Sequence, residues 1–517
     1  MVGTTGKATE QISLAENALA AGRFKEAADA LRKVLPLVQD SPRPQLMLGY
    51  ALWRAGQRAE AIQTLQRLTE VLPGNADAWF NLGNFYRAER RLDDAVAAFS
   101  RAAPLRSDNA EPWINLGYVL AQQGNFAEAE RQLREAITRF PGEPDLLVNL
   151  AQVQRATHRS SEALATLERC VQLAPRHTGY RVTRALARLE LGEVQAAHAE
   201  LDQLIREHPA LPDAHMARAH LLLAQRQYAA GWRDYLWRRE RASWLTAEGR
   251  PFTTAVASLE ELRGRPVVLC AEQGLGDIIF FLRFASVVER VATSVHLEAE
   301  PRLREILPVR WASPAPANAA RVLVGDLALI AGGAPVPSLG LSPEAARVAT
   351  ARSRLAQCGP PPYLAITWQA GVRWQDMTAP GAGLFKRVPP NALGKVLART
   401  HATLISLQRG SLPQDLADLA TAVGRSVHDF SDVNEDLPAA VAVLSLLNDY
   451  VAVSNTNVHL SDALGKRTRV LVTTPAEWRW CLEGARSPWF AHATLYRQSG
   501  DGAWDSALAR LQADLTV

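Results

Sequence analysis

Trp79-Phe-Asn-Leu-Gly83 and Trp113-Ile-Asn-Leu-Gly117 stand 34 residues apart, and Leu147-Val-Asn-Leu-Ala151 follows at the same interval. Upstream, Gln45-Leu-Met-Leu-Gly49 keeps the frame. Each segment leads to a turn and then a small residue: Gly56 then Ala61, Arg90 then Ala95, Gly124 then Ala129, His158 then Ala163. Pro73, Pro141 and Pro175 close their units. Apolar residues three or four apart line one face of a helix. Gly or Ala at the crossing lets a second helix approach, and proline stops that helix. The period therefore predicts stacked helix–turn–helix units, none of which buries its apolar face alone.

This pattern resembles tetratricopeptide (TPR) repeats, and the frame places about seven of them over residues 8–245. The last two fit badly. Arg181, Arg184, Arg188 and Arg218 fall at core positions, and unpaired charges are rarely buried. Either the frame slips by a residue there or the helices rotate. Asn81, Asn115 and Asn149 share one repeat position. An amide both donates and accepts, so a ladder of three can hold an extended peptide backbone of any sequence. The alternative is a local structural role. The TPR resemblance implies that this position faces a groove, with a polypeptide acceptor as partner.

Outside the repeats, the composition is that of a globular protein: 517 residues, 48% hydrophobic, with 57 Lys and Arg against 53 Asp and Glu. A net charge of +4 gives no support to nucleic-acid binding by bulk charge. Cys170, Cys270, Cys358 and Cys481 are scattered singly, without disulfide-scaffold or zinc-ligand spacing. The N-terminus lacks signal-peptide character, and no apolar run approaches the ~18 residues of a membrane span. The expectation is a cytoplasmic protein. Tyr228, Trp232, Tyr235 and Leu236 form an aromatic stripe that would cap the repeats and dock on the next domain. Residues 246–264 read as a linker.

The second half alternates short apolar strands with helices, the pattern of parallel sheets. Strands are expected at Pro266–Ala271, Val295–Ala299 and Arg321–Val324, with one helix over Ile278–Val291 between the first two. A second series starts at Tyr363–Trp368. It continues through strands at Thr403–Leu407, Ser426–Asp429, Tyr450–Ser454 and Arg469–Thr473, the last clear strand, with helices between. The expected halves are 265–360 and 361–517. A ligand cleft would lie at the carboxyl ends of strands.

Three segments offer chemistry. In Glu272-Gln-Gly-Leu-Gly-Asp-Ile-Ile-Phe280, Gly274 and Gly276 permit a tight turn onto a helix N-terminus. Asp277 either caps that helix or faces a ligand. Ala382-Gly-Leu-Phe-Lys-Arg-Val-Pro-Pro390 offers Lys386 as a point charge for a phosphate. Val453-Ser-Asn-Thr-Asn-Val-His-Leu-Ser-Asp-Ala-Leu-Gly465 runs from a strand into a helix and offers N–H groups and hydroxyls to an anion.

These segments resemble the motifs of family 9 (heptosyltransferase-like) glycosyltransferases and of O-linked N-acetylglucosamine transferases, as found in bacterial proteins that join TPR repeats to such a domain. The resemblance implies an all-α TPR superhelix followed by an α/β GT-B domain of two Rossmann-like halves. It implies Asp277 as general base and donor binding by Lys386, Asn455, Thr456, Asn457 and His459. Arg373 and Gln408 are weaker donor-site candidates. Ser454-Asn455 departs from the family's Asp-Thr. Pro475-Ala-Glu-Trp-Arg-Trp480 and Ser487-Pro-Trp-Phe490 also have family counterparts. Trp478 would stack on the donor or pack in the core, and His459 would serve the site or pack. The implied reaction is inverting, metal-independent transfer from a nucleotide sugar to a Ser or Thr hydroxyl of a protein, such as flagellin or another appendage subunit. The absence of Asp-x-Asp agrees with expecting no metal, and no cofactor is implied. The rivals are a non-catalytic adaptor with a decayed GT-B domain and a transferase acting on a saccharide or lipid.

Overall fold

The computed structural model describes residues 2–37, 41–307, 311, 314–371, 386–410 and 413–515. The described residues up to Tyr180 belong to one compact unit, and those from Arg181 onward belong to the other.

Seven helix pairs open the chain: Val2–Ala20 with Phe24–Val34, Pro42–Arg54 with Arg58–Val71, Ala76–Ala88 with Leu92–Leu105, Glu111–Gln122 with Phe126–Arg139, Pro144–Ala156 with Ser160–Leu173, Thr178–Glu190 with Val194–Glu207, and Pro212–Ala224 with Tyr228–Tyr235. The period never slips. Ala15, Gly49, Gly83, Gly117, Ala151, Ala185 and Ala219 recur at one position, all buried. The partner helices present Leu31, Leu65, Phe99, Leu133, Leu167, Leu201 and Tyr235, likewise buried. Where the small residue is glycine the approach is close: a Cβ on Gly83 would lie 2.7 Å from Phe99, and one on Gly117 2.5 Å from Leu133. Gly22, Gly56, Arg90, Gly124, His158, Gly192 and Arg226 mark the turns, and all seven have positive φ. Arg and His accept that left-handed strain because helices on both sides fix the turn.

The arginines at core positions are paired instead of misplaced. Arg184 stands where Leu48, Leu82, Leu116 and Leu150 stand in earlier repeats. It donates from Nε to Glu200 at 3.1 Å, and Arg188 donates to the same carboxylate at 2.8 Å. One repeat later, Arg218 donates to Asp234 at 2.6 Å and to Asp202 at 2.7 Å. Arg181 pairs with Glu207.

The α/β region holds two parallel sheets. In the first, β1 (Pro266–Cys270) lies between β2 (Ser294–Glu298) and β3 (Ala320–Leu323). A two-stranded antiparallel ribbon pairs β5 (Gln369–Ala370) with β6 (Lys386–Arg387). The second sheet comprises β4 (Tyr363–Thr367), β7 (Thr403–Ser406), β8 (Val427–Asp429), β9 (Asp449–Val453), β10 (Thr468–Val472) and β11 (Ala493–Arg497). Its order, β11-β10-β9-β4-β7-β8, is the doubly wound arrangement. The chain reverses direction between β4 and β9, where such sheets place their ligands.

Four details differ from the sequence reading. The helix expected over Ile278–Val291 breaks into Leu275–Leu282 and Ala285–Glu289. Between them the buried Arg283 turns inward, donating to the carbonyls of Phe280 and Trp489. An edge strand, β11, pairs with β10 beyond the last expected strand. The expected linker holds a short helix, Leu259–Leu262, with a Ser258–Glu261 capping box. The helix Ala345–Cys358 precedes the expected boundary yet packs on the second half, against Leu437–Leu446. Both terminal nitrogens of Arg354 hold the Asp432 carboxylate, each at 2.7 Å.

The aromatic stripe docks. Trp232 is 1% exposed, lies edge-on to Phe281, Trp478 and Trp489, and donates to the Gly333 carbonyl at 3.0 Å. Beneath it, Arg238 joins Glu272 (2.9 Å) and Asp326 (2.6 Å). Burial pushes the Glu272 carboxyl up to about 7, against the pull of Arg238. Among the described residues no helix is long and apolar enough to cross a membrane.

Candidate functional site

Four segments distant in sequence meet where strands end. The first turn of the helix after β1 carries Gly276 and Asp277. The ribbon strand after β4 carries Lys386. The turn after β9 carries Ser454 and Asn455, and that after β10 carries Glu477 to Trp480. Lys386 Nζ donates to the Ser454 carbonyl at 3.2 Å, bridging the reversal between β4 and β9. It also pairs with Glu477, whose other oxygen accepts from Ser454 Oγ at 2.9 Å. Burial opposes ionisation of Glu477, but Lys386 and Arg479 outweigh it and hold the carboxyl below its ordinary value. The Ser454 hydroxyl therefore orients a carboxylate.

Asp277 lies in the first turn of Leu275–Leu282, with its side chain 38% exposed. It pairs with Arg479, whose guanidinium lies 4.2 Å from the Trp478 ring and 4.7 Å from that of Phe280. Arg479 Nε is buried with no partner. The cluster thus holds two cations, Lys386 and Arg479, each neutralised by a carboxylate.

Gly276 is small for a reason. A Cβ there would meet His459 at 3.1 Å and the Thr456 backbone at 3.6 Å. His459 packs edge-on to Phe490 and Phe280. Burial, then Arg479, Arg283 and Lys386, drives its basicity far down, so the ring is neutral. It is a packing residue that seats the Gly276 loop against the helix Thr456–Ala463.

Of the expected site residues, Gly276, Asp277, Lys386, Thr456 and His459 come together, with Gly274 at the start of the Asp277 helix. Others are spent on the fold. Asn455 caps its helix, accepting from Val458 N–H at 3.2 Å and donating to the Val453 carbonyl at 2.9 Å. Asn457 donates to Asn434 at 2.9 Å. Gln408, 2% exposed, accepts from the N–H groups of Trp368 and Gln369 and donates to the carbonyls of Gln369 and Arg409. No hydrogen-bonding capacity is left on it for a nucleotide base. Trp478 is 5% exposed within the aromatic core. Arg373 lies outside the described residues. In the repeats, Asn149 donates to the Ile114 carbonyl at 3.0 Å and Asn115 accepts from Arg87 at 3.0 Å. Two of the three ladder amides thus bond neighbouring repeats.

Sequence reasoning missed Glu477 and Arg479, although both lie in the Glu-Trp-Arg-Trp stretch. Their charge was the available signal. It missed His220, from the seventh helix pair, entirely. Burial first, then the positive Arg479, pushes this imidazole down to about 4, while Glu477 and Asp277 pull the other way. Its ring centre lies 6.4 Å from that of Tyr235.

Four tetratricopeptide repeat profiles match the chain, at residues 11–33, 46–110, 107–176 and 150–221. Protein FlbA of Caulobacter vibrioides is 24% identical over 96% of this chain and 88% of its own length. A tetratricopeptide repeat protein from Parabacteroides merdae is 16% identical over 44% of this chain and 91% of its own, with a TM-score of 0.39. For Pseudomonas aeruginosa pilF the figures are 18%, 41%, 96% and 0.34. The first half of the chain is thus built of tetratricopeptide repeats, the element of protein–protein interaction, joined to an α/β region with parallel sheets.

Proposed function

We propose that this chain transfers a sugar from a nucleotide-sugar donor to a hydroxyl of a polypeptide held by its repeats, inverting the anomeric centre without a metal ion, on a GT-B domain. One observation carries the reading: Lys386 and Arg479 converge with the N-terminus of Thr456–Ala463 at the reversal point of a doubly wound sheet. Two cations and a helix N-terminus suit a diphosphate. As it leaves the anomeric carbon, the charge it gains is stabilised by groups already in place. Glu477 and Asp277 occupy these cations in the free protein, so a diphosphate binds by sharing or displacing them. In this reading Asp277 takes the acceptor proton.

The test is the thermal transition of the full chain with UDP, GDP, ADP, CMP and their sugars, for wild type and Lys386→Ala. A ligand at 100 times its Kd stabilises by about 2.7 kcal/mol. A shift with one nucleotide, reduced in the variant, supports the reading. No shift with any would favour an adaptor, a role consistent with cations already neutralised by the protein's own carboxylates.

A further inference from the structure

We propose that the free edge of β3 binds an acidic segment of a partner polypeptide as an added strand, in a slot separate from the strand-end cluster. The inference does not depend on the transferase reading. Among the described residues, β3 pairs with β1 on one side and with nothing on the other. Residues 319–323 line a cavity of about 450 Å³. Side chains alternate between the two faces of a strand. A cavity that meets five consecutive residues therefore runs along the strand's edge, not over one face. Residues 254–257 line the same cavity. They are in neither helix nor strand, and among the described residues no backbone hydrogen bond joins them to β3. Two backbones thus border one space without closing it. An edge strand in this state is a template for a further strand.

A buried cation holds the second backbone in place. Arg241, 4% exposed, donates to the Thr254 carbonyl at 2.7 Å and to the Phe252 carbonyl at 3.4 Å. Asp326 braces it at 3.3 Å and also accepts from Arg238. The slot is therefore ordered before a partner arrives, which lowers the cost of binding. Charge selects the partner. Arg250, Arg265 and Arg321 are exposed in the cavity wall. Arg321 is matched by Glu248 at 3.4 Å and by Glu298 at 2.8 Å. Glu261 is engaged in its capping box, accepting from the Ser258 N–H at 2.6 Å. Those bonds first, and the more distant Arg265 last, hold its carboxyl below its ordinary value. Arg250 lies 5.6 Å from the Trp244 ring. Among the described residues neither Arg250 nor Arg265 forms an ion pair, so both are surplus to the carboxylates of the wall. Acidic side chains two apart on an incoming strand fall on one face and complement them.

The experiment uses the full chain and fluorescein-labelled peptides, with binding read by anisotropy. One peptide alternates Glu and Val, and a second alternates Lys and Val. Two further forms of the Glu–Val peptide are N-methylated at every second residue, one in each register. The proteins are wild type and the double variant Arg250→Glu with Arg265→Glu, whose thermal transition should match wild type because both side chains are exposed. The expected result is saturable binding of the Glu–Val peptide to wild type, weakened about tenfold or more in the double variant. The Lys–Val peptide should not bind. One N-methylated register should lose binding, because a strand pairs with its neighbour through alternate N–H groups. No binding of the Glu–Val peptide up to about 1 mM overturns the proposal, as does equal affinity in the double variant. Full affinity of both N-methylated forms also overturns it, in favour of a site that reads carboxylates alone.

Discussion

Repeats two to five put Leu48, Leu82, Leu116 and Leu150 at one position of the frame, whereas repeats six and seven put Arg184 and Arg218 there. The facing helix changes in step, from Thr64, Ala98, Gln132 and Thr166 to Glu200 and Asp234. The frame is one and the chemistry is two. The change falls in the two repeats whose facing pairs lie wholly within the compact unit of the α/β region. Apolar pairing is tolerant of small shifts, whereas a bidentate ion pair fixes orientation. A repeat that must seat Trp232 in a neighbouring domain has use for the second kind of contact, with register as its benefit rather than stability.

The largest test breaks the ionic solution. Glu200→Ala leaves Arg184 and Arg188 without their shared carboxylate, at a cost of about 3–5 kcal/mol. Replacing the trio with the set found 34 residues earlier, as Arg184→Leu, Arg188→Gln and Glu200→Thr, imports Leu150, Gln154 and Thr166. In repeat five, Thr166 and Gln154 are hydrogen-bonded at 2.9 Å. Thermal denaturation should show this triple variant as stable as wild type, or more stable by about 1–4 kcal/mol. If it proves as damaged as Glu200→Ala, the two solutions are not interchangeable.

A smaller effect probes the apolar repeats. Gly83→Ala drives a methyl into the Phe99 ring and should cost about 1–3 kcal/mol by overpacking. Gly117→Ala faces the more adaptable Leu133 and should cost less, since Ala151 already stands over Leu167 at the same position. The smallest effect lies in the turns. His158→Gly relieves a side chain held at φ 59° and should gain roughly 0.5–1 kcal/mol, read as a rise in Tm. No such gain is open at Gly56 or Gly124.

The helix pairs were legible because their signals are local and periodic: a small residue, a turn and a proline at fixed spacing. The four core-position arginines were legible as an anomaly but not as its solution, since their acceptors lie on the next helix, 16 residues away for Arg184 and Arg218. In the α/β region strand positions were readable from apolar runs, whereas strand order was not. Gly276, Asp277 and Lys386 could be singled out from loops beside strands. That Asn455, Asn457 and Gln408 are spent on the backbone and on neighbouring side chains could not, because an amide that caps a helix and one that binds a ligand read alike in sequence.

The sequence by itself determined the repeat period, the alternation of strand and helix, and the short list of charged loops, because each follows from side-chain spacing along the chain. Only the tertiary structure decided that Arg479 meets Asp277 across 202 residues and that Glu477 locks Lys386 to Ser454. Those pairings are set by which strand ends the sheet order brings together and by how the last helices dock through Trp232. Neither is encoded in the spacing of residues within any one element.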